Sequence, residues 1–272
     1  MTKAHLVKEP PGGGAAGRHV AGTAAVFFDL DRTLIAGSSA FEFGRAAYGA
    51  GIITKRQLAT DAWENLQFRL KGSTDASTDR IKARAGEMLK GVRVRDMQRL
   101  APQVLAGVLP RLYPEMLAIA YEHQDAGRPI FICTAASQEM ADLMALVLTF
   151  DGAVGSSIEV RDGQYTGGQS GAFTYREGKA TAIRDLAERE KIDLTKSYAY
   201  SDSESDLPML RLVGHPVAVN PDTELGRVAA AEGWEVIRLD RLGRRLRFAG
   251  AIGAAALAGA ATHTLARAAR GA

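Results

Sequence analysis

The sequence predicts an α/β protein: a parallel sheet with helices between its strands, interrupted once by an all-helical insert. Three observations carry this. Residues 24–28 form a short apolar run of the kind a fully buried strand requires. From Tyr113 onward, helical and strand patterns alternate, which implies parallel strands joined by right-handed crossovers. Between these regions, residues 39–109 show only helical spacing.

Taken in order, residues 1–22 carry Pro10, Pro11 and Gly12-Gly13-Gly14. They lack the apolar stretch of a signal peptide and read as a disordered tail. The first strand covers 24–28. In the insert, Phe41, Phe43, Ala46, Ala47 and Tyr48 open one helix, and Leu58, Ala62, Trp63, Leu66, Phe68 and Leu70 continue the pattern. Residues 72–77 read as a loop, 79–89 and 96–109 as further helices. Beyond Pro110 come a helix at 116–124, a strand at 129–133 and a helix at 138–148 with Ser137 as its N-cap. A hairpin follows, 157–160 and 164–166 about an Asp162-Gly163 turn. The remaining elements are helices at 179–191, 206–212 and 224–231, alternating with strands at 197–200, 216–219 and 234–239. The expected organisation is a core over 23–36 and 111–240, a helical insert over 37–110, and a basic, Ala/Gly-rich C-terminal helix over 241–272.

Composition is that of a soluble globular protein, 46% apolar and 24% charged. A net charge of +3, with no interleaving of basic and aromatic residues, argues against a nucleic-acid partner. The single cysteine, Cys133, excludes an internal disulfide and fits a reducing, cytoplasmic setting; inside an apolar run it reads as a buried structural thiol. The five histidines stand singly, with no metal-ligand spacing.

The candidate chemistry starts at Asp29-Leu30-Asp31-Arg32-Thr33. If strand geometry persists, Asp29 and Asp31 point the same way. Two like charges that close need a cation, or one must hold a proton. Thr134 and Asp202 each follow another strand, and ligands of an open parallel sheet bind beyond the carboxyl ends of its strands. Lys179 opens a helix, where its charge opposes the helix dipole and so points to a nearby anion. Asp202 and Asp206 lie in a turn-rich acidic run, Ser201-Asp202-Ser203-Glu204-Ser205-Asp206.

These four stretches, in this order, resemble the motifs of the haloacid dehalogenase superfamily, in its phosphoserine-phosphatase-like branch. The match covers about residues 23–240. The resemblance implies a Rossmann-like parallel sheet with a small helical cap after the first motif. It also implies a Mg²⁺-dependent phosphomonoester hydrolase acting through an aspartyl-phosphate. Asp29 would be the nucleophile and Asp31 the general acid–base. Asp29, Asp31 through its backbone carbonyl, and Asp202 would hold the metal, and oxygen-only ligands suit Mg²⁺. Thr134 and Lys179 would bind the phosphate, and Asp206 would orient Lys179 or a metal-bound water. A carboxylate at Asp31 separates the chain from dehalogenases and P-type ATPases, but not from sugar-phosphate mutases.

The chain departs from the branch in its substrate residues. Phosphoserine phosphatases have a Glu nine residues after the nucleophile, and Ser38 stands there. Glu42, one helical turn on, is the candidate substitute. Arg80 and Arg84 are candidates for the cap Arg that holds a substrate carboxylate. L-Phosphoserine is the leading substrate, with other small or lipid phosphate esters open. A catalytically idle phosphate-binding or membrane-associated protein is the alternative from another class, and the intact Asp31 argues against it.

After Asp240 there are six Arg and no acidic residue. As a helix, the uncharged run 248–266 would span about 28 Å, near the hydrocarbon thickness of a bilayer. Its Ala and Gly give weak hydrophobic drive. A spanning helix, a helix lying on an anionic membrane surface, and a soluble helix are the three readings, with association to anionic membrane the expectation.

Overall fold

The protein is seen here in a computed structural model, which describes residues 22–57, 59–60, 86, 89–171 and 173–239. Residues 1–21, the expected helices between 61 and 85, and the basic segment 241–272 lie outside the described residues. The chain divides into two units, 1–237 and 238–272. Among the described residues no helix is long and apolar enough to cross a membrane.

The described residues form eight strands: β1 (Val26–Phe28), β2 (Ile130–Ser137), β3 (Gly152–Ser156), β4 (Ile158–Arg161), β5 (Gln164–Gln169), β6 (Tyr198–Ser201), β7 (His215–Val219) and β8 (Glu235–Ile237). Six of them make one parallel sheet in the order β3-β2-β1-β6-β7-β8. β1 lies inside it, with Val26 in register with Ile130 on one side and Tyr198 on the other. The connections run outward in both directions from β1, and that reversal opens a crevice at the carboxyl ends of β1, β2 and β6.

Both faces of β1 are buried. Phe27 stacks on Phe131 at 5.9 Å and joins Ile183, Leu186 and Ala187 of the Glu177–Glu190 helix in one core cluster. Phe28 faces the other way and stacks on Tyr200 at 4.5 Å. Behind Tyr200, Arg128 Nε donates to His123 Nδ1 at 2.7 Å, so His123 Nε2–H is left to donate to the Tyr200 hydroxyl at 2.8 Å. Burial and the Arg128 charge push the His123 pKa down to about 4, so it is a neutral structural group.

Three elements differ from the sequence reading. The edge strand β3 was not expected. The helix expected over 96–109 is two, Val94–Gln98 and Ala101–Val108, because Pro102 starts a new helix. β2 continues past Cys133 to Ser137, so Thr134 lies within the strand. The hairpin expected at 157–166 is β4–β5, with φ of 51° at Asp162 and 74° at Gly163, as its tight turn requires. It packs on the insert: Gly91 N–H donates to Tyr165 O, Tyr165 N–H to Val92 O, and Val94 N–H to Gly163 O.

The two chain crossings between core and insert pair with each other. Ile35 and Leu112 form an antiparallel bridge, Ala36 N–H donates to Arg111 O at 2.7 Å, and Tyr113 N–H donates to Leu34 O at 2.9 Å.

Candidate active site

Asp29 leaves the end of β1, its N–H held by Tyr200 O at 2.9 Å. Lys179 comes from the first turn of the Glu177–Glu190 helix. It shares the buried face of Ala180, Ile183 and Ala187, at helical spacing, so its chain runs through the core to the crevice. Its Nζ donates to Asp29 Oδ1 at 2.9 Å and to Asp206 Oδ2 at 2.8 Å. The Ser201 hydroxyl, at the end of β6, donates to the same Asp206 oxygen at 2.7 Å. Asp206 therefore fixes the ammonium and is itself fixed.

The acidic loop follows a simple rule. Each alternate acid is held by a cation from elsewhere: Asp202 by Arg32 at 2.8 Å, Glu204 by Arg176 at 3.4 Å, and Asp206 by Lys179. Arg32 and Arg176 both have left-handed backbone, φ 65° and 51°, which is uncommon for a side-chain-bearing residue.

Asp31 is held from the insert. Ser39 N–H, in the first turn of the Ser39–Gly49 helix, donates to Oδ1 at 2.8 Å, and the Ser38 hydroxyl donates to Oδ2 at 3.1 Å. The serine that stands where the branch has Glu thus serves the second aspartate. The Thr33 hydroxyl is fully buried with no hydrogen-bond partner among the described residues.

Burial dominates the electrostatics. It pushes the Asp29 carboxyl up to about 6 against the pull of Lys179, with Asp206 and Asp31 adding repulsion. Burial also raises Asp31, offset in part by the hydrogen bonds from Ser39 and Ser38. Asp202 is pushed up to about 8 by burial and the Asp29 charge, with Arg32 opposing. Burial works to lower Lys179, but the Asp206 and Asp29 carboxylates outweigh it and keep the ammonium charged. Burial likewise raises the Cys133 thiol, which has 0% exposure and no nucleophilic character.

The carboxylates outnumber the local cations, and their donors are all oxygen, so Asp29 and Asp202 with the Asp31 carbonyl fit a hard divalent ion. Among the described residues no group of three His, Cys, Asp or Glu side chains is placed to hold a metal. The expected set contains two such side chains and a carbonyl.

The remaining sequence candidates are Thr134, Glu42, Arg80 and Arg84. Thr134 is buried in β2, its hydroxyl accepting the Ala136 N–H at 3.2 Å. Glu42 is 1% exposed in the insert, between Arg111 at 2.7 Å and Arg45 at 3.1 Å. These contacts are ionic and lie off hydrogen-bond geometry. A Cβ on Gly107 would collide with the Glu42 carboxylate, so Glu42 lies at the contact with the Ala101–Val108 helix. Each of its carboxylate oxygens already faces an arginine. Arg80 and Arg84 lie outside the described residues. Arg32, Arg176 and Ser201 were given no role from the sequence. The alternate-acid spacing at Asp202, Glu204 and Asp206 was the available signal for matching cations.

The haloacid dehalogenase-like hydrolase family model matches residues 26–211, most of the chain and all the residues of this cluster. The chain belongs to this family. A phosphoserine phosphatase of Mycobacterium tuberculosis is 37% identical over 244 residues, 88% of this chain and 79% of that protein. A probable phosphatase of the same organism is 35% identical over 80% of this chain and 76% of its own length. A solved phosphoserine phosphatase, an analogue of the phospho-aspartyl intermediate, superposes with a TM-score of 0.59 at 17% identity, covering 84% of this chain and 98% of that one. Its fold is therefore that of a haloacid dehalogenase-like phosphatase.

In this family member, Gly178 decides where Lys179 sits. A Cβ on Gly178 would collide with the Phe173 carbonyl oxygen, a backbone atom that cannot rotate aside. Gly178→Ala should push the helix start away from the crevice and misplace the ammonium. The expected loss in aryl phosphate kcat/KM is about 10²-fold, with about 1–3 kcal/mol of stability. Steady-state kinetics and a denaturation curve check this; unchanged kinetics would separate Gly178 from the site.

Proposed function

We propose that the chain is a Mg²⁺-dependent phosphomonoesterase that works through an aspartyl-phosphate on Asp29, with L-phosphoserine the first substrate to test among small phosphate esters. The observation that carries this reading is the buried Lys179 ammonium between Asp29 and Asp206, at the carboxyl end of the central strand. The named activities of the relatives point the same way.

An Asp29 oxygen attacks phosphorus, and the bond to the ester oxygen breaks as Asp31 gives that oxygen a proton. Burial raises the Asp31 pKa, which favours a carboxylic acid able to donate at this step. Asp31 then takes a proton from water, whose oxygen attacks phosphorus and releases Asp29. Lys179 and Thr134 hold phosphoryl oxygens, and the ammonium offsets the charge spread over them in the transition state. Asp29, Asp202 and the Asp31 carbonyl would hold Mg²⁺, which when bound neutralises charge on the phosphate and on the carboxylates.

Purified protein should hydrolyse an aryl phosphate and lose that activity in EDTA, and a screen of phosphate esters with Mg²⁺ ranks substrates. Activity that persists in EDTA removes the metal from the proposal. Stability gives a second readout. Asp29 and Asp202 have pKa values raised above the ordinary 3.8, so their contribution to the metal-free fold is fully present below that value, falls as pH rises from it, and is lost above about 6 for Asp29 and about 8 for Asp202. The melting temperature gained on adding Mg²⁺ should therefore be larger near pH 8 than near pH 5. An equal gain at both would remove these carboxylates from the metal's binding.

A further inference from the structure

We propose that Asp222 is a positioning residue for the metal site: it clasps the backbone of the acidic loop on both sides of Ser203 and so fixes where Asp202 stands. This rests on the metal reading above. β7 lies beside β6, with Ala218 in register with Ser201, so the chain leaving β7 passes the chain leaving β6. At that passage Asp222 N–H donates to Asp202 O at 2.8 Å, and Asp222 Oδ2 accepts the Glu204 N–H at 2.9 Å.

The same residue is the N-cap of the Thr223–Glu232 helix, its Oδ1 accepting the Leu225 N–H at 2.8 Å. Capping needs one oxygen, and a Ser or Thr hydroxyl supplies it as well as a carboxylate does. The second oxygen of Asp222 is what reaches the loop. The helix it caps is anchored in the core by Leu225 and Ala229, both with 0% exposure, so the clasp ties the loop to a fixed element.

The loop's other backbone contacts explain why a clasp matters. Ser205 N–H donates to Ser203 Oγ at 3.3 Å, and Asp206 N–H donates to Ser203 O at 3.1 Å. These bonds are internal to the loop, so they set its shape and not its place. Arg32, Arg176 and Lys179 each hold one acid by its side chain. Asp222 holds the main chain that all three acids share. Mg²⁺ demands near-ideal octahedral geometry, so a ligand free to drift costs affinity.

The test compares wild type with two variants. Asp222→Ser keeps a capping oxygen but has no second oxygen for Glu204. Asp222→Glu keeps the charge but moves both oxygens one methylene away. Mn²⁺ binding is followed by loss of the free-ion EPR signal, with each protein held well below its melting temperature. Loss of a group that orients a metal ligand costs about 10–100-fold in metal affinity, so both variants should bind Mn²⁺ at least about tenfold more weakly. Amide hydrogen exchange of the peptide that holds Glu204 should speed up in both. Asp222→Ser should melt close to wild type, because the cap is kept. Unchanged Mn²⁺ affinity in Asp222→Ser makes Asp222 a plain helix cap and overturns the role, as does unchanged exchange at Glu204. Weaker binding in Asp222→Ser alone, with Asp222→Glu like wild type, shows an effect of charge and not of position, and also overturns it. All three results leave the metal reading standing. No Mn²⁺ binding by wild type defeats the metal reading itself, and this role with it.

Discussion

Asp29→Asn is expected to lower turnover of aryl phosphate by about four orders of magnitude or more, the scale seen when a nucleophile is removed. The substitution keeps an oxygen for the Lys179 Nζ, now 2.9 Å from Asp29 Oδ1, so the fold should survive. It takes one charge out of a cluster where burial already opposes charge. Stability should therefore change little, and the loss would be chemical. Quenching wild type with labelled substrate should trap a phosphoryl group on the protein that hydroxylamine releases, as an acyl phosphate requires. The variant should trap none. Residual activity above about one per cent of wild type would make Asp29 something other than the nucleophile.

Lys179→Met should act on the fold as strongly as on the chemistry. The ammonium is the shared partner of Asp29 and Asp206, and its side chain is 3% exposed. Without it, two carboxylates stay buried with no counter-charge between them. Breaking a buried pair on one side costs about 3–5 kcal/mol, a large part of the ~5–15 kcal/mol that holds a domain folded. Urea denaturation measures it. Asp206→Asn added to Lys179→Met should recover part of the loss, since it removes one of the stranded charges. A single variant as stable as wild type would mean that the crevice rehydrates freely, and that the site is not the dry, preorganised cluster described above.

Much of the fold could be read from sequence wherever one physical signal dominates. The apolar run before Asp29 became the central strand, and the apolar stripe of the Glu177–Glu190 helix was visible in its spacing. β3 was hidden by its glycines. At Gly155 a Cβ would come within 2.9 Å of Gln138 N and 2.8 Å of its Cα, so the close approach of strand to helix start demands the residue that weakens the strand pattern. The break between the Val94–Gln98 and Ala101–Val108 helices was legible in Pro102.

At the site, the acids and Lys179 announce themselves by spacing and by family motif. Their partners do not. The Arg32–Asp202 contact spans 170 positions of sequence and depends on a backbone dihedral that no pattern of side chains encodes. The burial of Glu42 beneath Gly107 is likewise a tertiary fact, and local spacing shows only a Glu on a helix.

The paired crossings at Ile35 and Leu112 have one more consequence. Zipped together, they enter and leave the insert as one paired segment, and the first helix of the insert grips Asp31 through Ser38 and Ser39. Proton affinity at Asp31 and the position of the insert are thus linked variables. The hydrogen bonds that the insert gives Asp31 favour its charged form, so losing them would raise its proton affinity, and by reciprocity protonation of Asp31 would weaken that hold.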